Sequence, residues 1–236
     1  MDIVFPQSTN FSAYEVIVVP PLYIAGDALL EKLVAFVKNG GHLLLTFKSG
    51  FCNEHSTVRW ARMPGPLREA AGFSYQEFTT LRKPLALKGD PYKVGDENRV
   101  SVWAEMLLPE GCTTLASYDH HFFGRFPAVT RNQYGKGTLT YEGTVLSDQL
   151  QEKVLLEVLA LAGLTGADQE LPPPVKLRQG LNKTGKKLRY YLNFSRVKQS
   201  FVYPHSSGTD MLTGRAIKPS ERVTLDPWDL VIVEER

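Results

Sequence analysis

Two apolar runs flanking one helix-length segment constrain this chain more than anything else in it. Residues 15–19 (Glu-Val-Ile-Val-Val) stop at Pro20-Pro21, and residues 43–47 (Leu-Leu-Leu-Thr-Phe) follow Gly40-Gly41. Both read as strands apolar on either face, the pattern of a parallel sheet clad by helices on both sides. Between them Leu30, Leu33, Val34 and Val37 share one helical face, with Asp27 at the expected N-cap. Gly40 and Gly41 close that helix, since glycine accepts the left-handed geometry of a C-cap. Strand, helix and strand together make an α/β unit.

Further along, residues 2–5 read as a short strand and residues 10–14 as a turn. Residues 64–71 form a short helix with proline at its start and Gly72 at its end. Strands are expected at 77–81, 99–103 and 113–118. Residues 127–132 and 137–142 flank Tyr134-Gly135-Lys136-Gly137 as a hairpin. The strongest helix spans 148–162, where Leu150, Val154, Leu155, Val158, Leu159 and Ala162 keep helical spacing. Leu171-Pro172-Pro173-Pro174 then marks a boundary, because consecutive prolines neither continue a helix nor pair centrally in a sheet. Beyond it apolar residues alternate at 188–194, 200–203, 222–225 and 230–233, with turns at 182–185 and 210–214. The expected organisation is an α/β domain over 1–170 and a small antiparallel β sandwich or barrel over 175–236.

A net charge of +2 and no basic run beyond Lys186-Lys187 argue against a nucleic-acid groove. The first residues lack the pattern of a signal peptide. The longest apolar stretch, 154–164, is broken by Glu157 and Gly163, so no membrane span is expected. Cys52 and Cys112 give neither a disulfide framework nor metal-ligand spacing. These features read as a cytoplasmic chain with reduced thiols, no cofactor and no metal.

In order along the chain, Lys48-Ser49-Gly50, Asn53-Glu54, Pro64-Gly65-Pro66-Leu67, Pro127-Ala128-Val129-Thr130, Tyr134-Gly135-Lys136-Gly137, Tyr191-Leu192-Asn193-Phe194-Ser195 and Asp210-Met211-Leu212-Thr213-Gly214-Arg215 form a set. That set resembles the glycoside hydrolase family 42 β-galactosidases, in their trimerisation domain and the C-terminal β domain after it. The resemblance implies a flavodoxin-like or class I glutamine-amidotransferase-like domain, whose first strand and helix have no counterpart before Asp2. It implies a homo-oligomer, a trimer by family habit, or a complex with a glycosidase barrel chain, with a galactoside as possible ligand. The family's catalytic glutamates sit on a (β/α)₈ barrel of about 250 residues, which does not fit in this sequence. The chain alone is therefore expected to be inactive. Lys48 stands where the family usually has arginine.

The 48–66 loop follows a parallel strand at its carboxyl end, where α/β domains place ligands and partners, and it is long for a connection. Its Lys48, Ser49, Gly50, Asn53, Glu54, Trp60, Pro64 and Gly65 are the candidate interface or cleft-facing residues. A rival reading gives Cys52 a nucleophile's role with a histidine such as His55, although the glycine-flanked elbow this chemistry uses is lacking. A third makes the chain a carbohydrate-binding module stacking sugars on Trp60, Trp103, Tyr190, Tyr191 or Trp228; core packing is the plainer role for these rings. Tyr190 and Tyr191 should face opposite sides of one strand, as should His120 and His121, which argues against a shared metal. Retaining glycosidases need two carboxyls across the scissile bond, and of Glu54, Glu69, Glu77, Asp90, Asp96, Glu97, Glu105 and Asp119 none sits on a barrel-strand end, so they read as solvated or structural.

Overall fold

The computed structural model describes residues 2–8 and 11–235. It divides into two compact units, Met1–Leu164 and Thr165–Arg236. In the first unit the strands are β1 (Val16–Val19), β2 (His42–Thr46), β3 (Phe73–Ser74), β4 (Phe78–Leu85), β5 (Val100–Glu105), β6 (Leu108–Pro109), β7 (Thr113–Ser117), β8 (Pro127–Tyr134), β9 (Gly137–Glu142) and β10 (Thr144–Leu146). The helices are α1 (Asp27–Lys38), α2 (Arg68–Ala71) and α3 (Asp148–Leu161).

The main sheet runs β1-β2-β9-β8-β7. Its first three strands are parallel, and β8 and β7 are added antiparallel. Period-two alternation on β2 divides the core. Leu43 and Leu45 pack with Leu30, Leu33, Phe36 and Val37 of α1, whereas Leu44 packs with Leu150, Val154 and Val158 of α3. A strand apolar on both faces thus ends up between two helical layers. Every residue of β9 is buried as well.

β1 departs from the expectation of double coverage. It is the edge of the sheet, and Val18 is 50% exposed. Its Val-Ile-Val-Val composition fits either position, so apolarity alone does not distinguish edge from centre. Residues 2–5 form no strand, Asn10 lies outside the described residues, and Phe11–Ala13 is a 3₁₀ turn. Gly26, not Asp27, occupies the N-cap of α1, and Asp27 is its first helical residue. Ser147 caps α3 by accepting from Leu150 N–H. The expected hairpin forms with Tyr134 opposite Gly137. A second sheet, β10-β5-β4, joins the main one through Gly143, which continues β9 into β10.

The second unit contains β11 (Val175–Leu181), β12 (Lys187–Asn193), β13 (Gln199–Val202), β14 (Gly208–Asp210), β15 (Ala216–Ile217), β16 (Arg222–Leu225) and β17 (Leu230–Glu235). They form a five-stranded sheet, β11-β12-β17-β14-β15, and a β13-β16 pair. Tyr191, Phe201, Tyr203, Val223, Leu225 and Val233 fill the space inside. Arg189 on β12 is buried and neutralised by Glu235 and Asp168, the latter also held by His205 Nε2 at 2.6 Å.

Candidate functional site

The 48–66 loop leaves the carboxyl end of β2 and is tied down along its length. Ser49 Oγ donates to Thr46 O at 2.7 Å, and Gly50 N–H to Leu22 O at 2.9 Å. Gly50 has φ +73, and a Cβ there would lie 3.1 Å from Pro64 O, so the loop's two ends close on each other only with glycine. At the tip Asn53 Oδ1 accepts from His55 N–H and Thr57 N–H, both at 3.0 Å, an Asx-type turn. Arg59 pairs with Asp27, donates to Ala25 O at 2.6 Å and, through its backbone, to Phe51 O at 3.1 Å.

With Arg59 held inward, the next side chain points out. Trp60 is 99% exposed. Val58, two residues earlier, is exposed too. A rigid loop presenting a whole indole to solvent has the composition of an interface anchor, because tryptophan yields more contact energy per residue than most side chains. Of the predicted loop residues, Ser49 is buried at the root, Pro64 and Gly65 form the return, and Glu54 is solvated beside His55.

Beside the loop's root lies a row of rings drawn from four segments. Tyr23 stacks on Phe51 with centroids 5.5 Å apart, Phe51 meets Phe78 edge-on at 5.6 Å, and Phe78 stacks on Trp103 at 4.7 Å. The Lys48 ammonium sits 3.8 Å from the Trp103 ring centroid and 5.5 Å from that of Tyr23, a cation–π arrangement. Tyr23, Phe78 and Ile24 are substantially exposed. Spacing along the sequence does not announce this row; only Trp103 was a candidate, and for another role.

Beneath the rings Glu105 is fully buried. Its Oε1 accepts from Lys48 N–H at 2.8 Å and Trp103 Nε1–H at 3.2 Å, and its Oε2 from Tyr141 OH at 2.9 Å. Burial pushes its carboxyl up to about 7, against the opposing pull of those donors. Glu142 is also pushed up to about 7 by burial, and accepts from Gln151 Nε2 at 2.7 Å. Consecutive residues of a strand face opposite ways, so Tyr141 carries β9's contact to Glu105 while Glu142 faces α3. The two perturbed acids therefore lie on opposite sides of β9 and form no glycosidase pair.

The remaining candidates have structural explanations. Cys52 is 1% exposed and bridges Ile24 and Val58 through its backbone, whereas the His55 side chain is 79% exposed beside Glu54. The thiol's side-chain partner is the Tyr23 hydroxyl and not His55, and Cys52 is expected to resist iodoacetamide in the native chain at neutral pH. Labelling faster than a free thiol, located by peptide mapping, would restore the nucleophile reading. His120 and His121 lie in a turn, not a strand, and their rings stack at 4.6 Å, contrary to the opposite-face expectation. His120 Nδ1 accepts from Phe122 and Phe123 N–H, which occupies that nitrogen. A surface cavity of about 480 Å³ beside them is lined by Lys88, Tyr118, Asp119 and Arg125 among others. Asp90 caps the turn at Val94 and Gly95, Glu97 pairs with Arg99, and Glu69 accepts from Tyr134 OH. Tyr191 is core, and Trp228 is an exposed turn residue at φ +59. Among the described residues no group of three or more His, Cys, Asp or Glu is placed to hold a metal ion. No helix among them is long and apolar enough to cross a membrane.

Residues 1–165 match the model of the β-galactosidase trimerisation domain, and residues 178–235 that of the β-galactosidase C-terminal domain. The β-galactosidase LacA of Lactobacillus acidophilus is 29% identical over 227 residues, covering 95% of this chain and 32% of LacA. BgaB of a Geobacillus species is 34% identical over 160 residues, which is 68% of this chain and 23% of BgaB. Among solved structures, a catalytic mutant of Gan42B, a family 42 β-galactosidase from G. stearothermophilus, superposes with a TM-score of 0.83 at 28% identity. That match covers 96% of this chain and 32% of Gan42B. The chain spans about a third of the length of the curated relatives it matches over most of its own length.

Proposed function

Because this chain belongs to glycoside hydrolase family 42, as the trimerisation and C-terminal domains of a β-galactosidase, we propose that it brings subunits together through the 48–66 loop. The observation that carries this reading is Trp60, wholly exposed on a loop pinned by Arg59, Asn53 and Gly50. An indole held out by a rigid scaffold loses little conformational freedom on docking, which favours association. The partner is a second copy of the same polypeptide, with three copies as the family's domain name implies, or a barrel-bearing chain. Any turnover is retaining hydrolysis of β-galactosides by glutamates outside these 236 residues, with this chain walling one side of the sugar cleft. The unit over 1–164 is read as flavodoxin-like; supporting that are three parallel strands and a helical layer on each face.

Trp60→Ala tests this. Sedimentation velocity across a concentration series should show the wild-type chain self-associating and the variant on the order of 100-fold weaker, as for a central interface tryptophan. At concentrations low enough to keep both proteins monomeric the variant should unfold at the same temperature, since the side chain touches no core. Identical sedimentation of the two proteins would remove the loop from the interface.

A further inference from the structure

Two strained backbones converge on one buried carboxyl. Lys48 has φ +59 and Val102 has φ +66, the left-handed region that side chains, β-branched ones above all, rarely enter. Val102 sits in a bulge, where the pairing with β10 skips from Thr144 opposite Ala104 to Val145 opposite Ser101. The bulge leaves Val102 exposed and Trp103, Ala104 and Glu105 buried in succession. Trp103 and Glu105 both turn toward Lys48 as a result, and Glu105 Oε1 takes the Lys48 amide and the indole N–H together.

Among the described residues Glu105 has no cationic partner: the Lys48 ammonium lies against the Trp103 and Tyr23 rings. An isolated buried carboxyl is costly, and a leucine of similar size would avoid that cost, though it would orphan the Lys48 and Trp103 donors. Strain at two residues around a buried acid is the kind of arrangement that persists where geometry is being fixed for use. We propose that Glu105 is a positioning residue for assembly: by accepting the Lys48 amide it holds the first residue of the 48–66 loop in its left-handed conformation. The direction in which the loop departs, and hence where Trp60 is presented, follows from that hold. Glu105 stands 45 residues from Trp60 in sequence and acts on the loop through the Lys48 amide.

This inference rests on the loop being the assembly surface, and the test separates the two claims. Hydrogen exchange and sedimentation are measured on the full chain carrying Glu105→Ala or Glu105→Gln. Glutamine keeps an acceptor oxygen at the Oε1 position, so it should leave the Lys48 amide protected and self-association intact. Alanine removes the acceptor, and exchange at Lys48 should rise about tenfold more than at Leu43 and Leu45 of β2, with weakened association. Equal increases along β2 and the loop would mean a general stability effect and would overturn the proposal, as would an unprotected Lys48 in the glutamine variant. If the alanine variant does not fold, the glutamine result decides alone. A loosened loop in Glu105→Ala with unchanged association would leave Glu105's hold on the loop standing and remove the loop from the interface.

Discussion

Gly137→Ala is expected to unfold the first unit at temperatures where the wild-type chain is intact. Gly137 opens β9, the strand between β2 and β8, and its own φ is ordinary, so conformational freedom is not what demands glycine there. Space is. A Cβ at this position would land on Gly41 O, 2.5 Å from Val37 O and 2.9 Å from the Gly40 carbonyl carbon. All three are backbone atoms of the α1 exit and the start of β2, and no flexible side chain can swing aside. Relief requires β9 to slide against α1, yet every β9 residue is buried and the Gly135-Lys136 turn is itself fastened to Lys38 O by the Lys136 amide at 3.1 Å. Overpacking of this sort costs about 3 kcal/mol or more, against a total stability of roughly 5–15 kcal/mol for a domain. Gly180→Ala on β11 is the control, because nothing lies within 4 Å of a Cβ there. Urea unfolding followed by tryptophan fluorescence should show a large loss of midpoint for Gly137→Ala and almost none for Gly180→Ala. Equal midpoints for Gly137→Ala and wild type would mean that the α1–β9 contact is softer than its geometry.

How much of this was legible in the residues depends on whether a feature is local. β2, α1, α3 and the hairpin are written in short-range periodicity, and the turn at Gly135-Lys136 in two adjacent residues. β11 is not: its Val-Lys-Leu-Arg-Gln-Gly-Leu is mostly exposed, so few apolar residues mark its alternation, and its pairing with β12 decides its conformation. The edge position of β1 is equally silent, because Val-Ile-Val-Val suits a covered strand as well. The 48–66 loop announced itself by length and by its place after a parallel strand, but the outward Trp60 depends on Arg59 reaching Asp27, 32 residues away. Glu105 is the least local of all. It stood among eight unremarkable carboxylates, and its donors come from Lys48, 57 residues before it, and Tyr141, 36 after. One trace was present: Trp103 and Glu105 are spaced by two in a strand, which places them on one side, and a charged residue sharing a tryptophan's buried side needs partners.

Stability of the first unit should fall as pH rises from about 5 to about 7.5, the reverse of the trend that salt-bridged carboxylates produce. Glu105 and Glu142 are both raised from the ordinary 4.5 to about 7 by burial. The folded state then holds more protons than the unfolded chain between those values, so the stabilisation is complete below 4.5 and is lost as pH climbs through 7. A shift of that size corresponds to roughly 3 kcal/mol per group. Other groups act in different windows. Glu110, held down to about 2 by its hydrogen bonds from Arg68 and Ser74, contributes stability that is lost only as pH falls below 4.5. His42, whose pKa burial lowers, works against folding only below its usual 6.5. The range from 6.5 to 7.5 is therefore governed by the two buried glutamates. Glu142→Gln keeps the contact to Gln151 and removes the titration, so thermal midpoints measured from pH 5 to pH 8 should decline about half as steeply as in wild type. Glu105→Gln should do the same from the other face of β9, and the double variant should be nearly flat above pH 6.5. A wild-type midpoint that is constant or rises between pH 6.5 and 7.5 would show that water or a partner reaches these carboxyls, and that their burial does not keep them protonated.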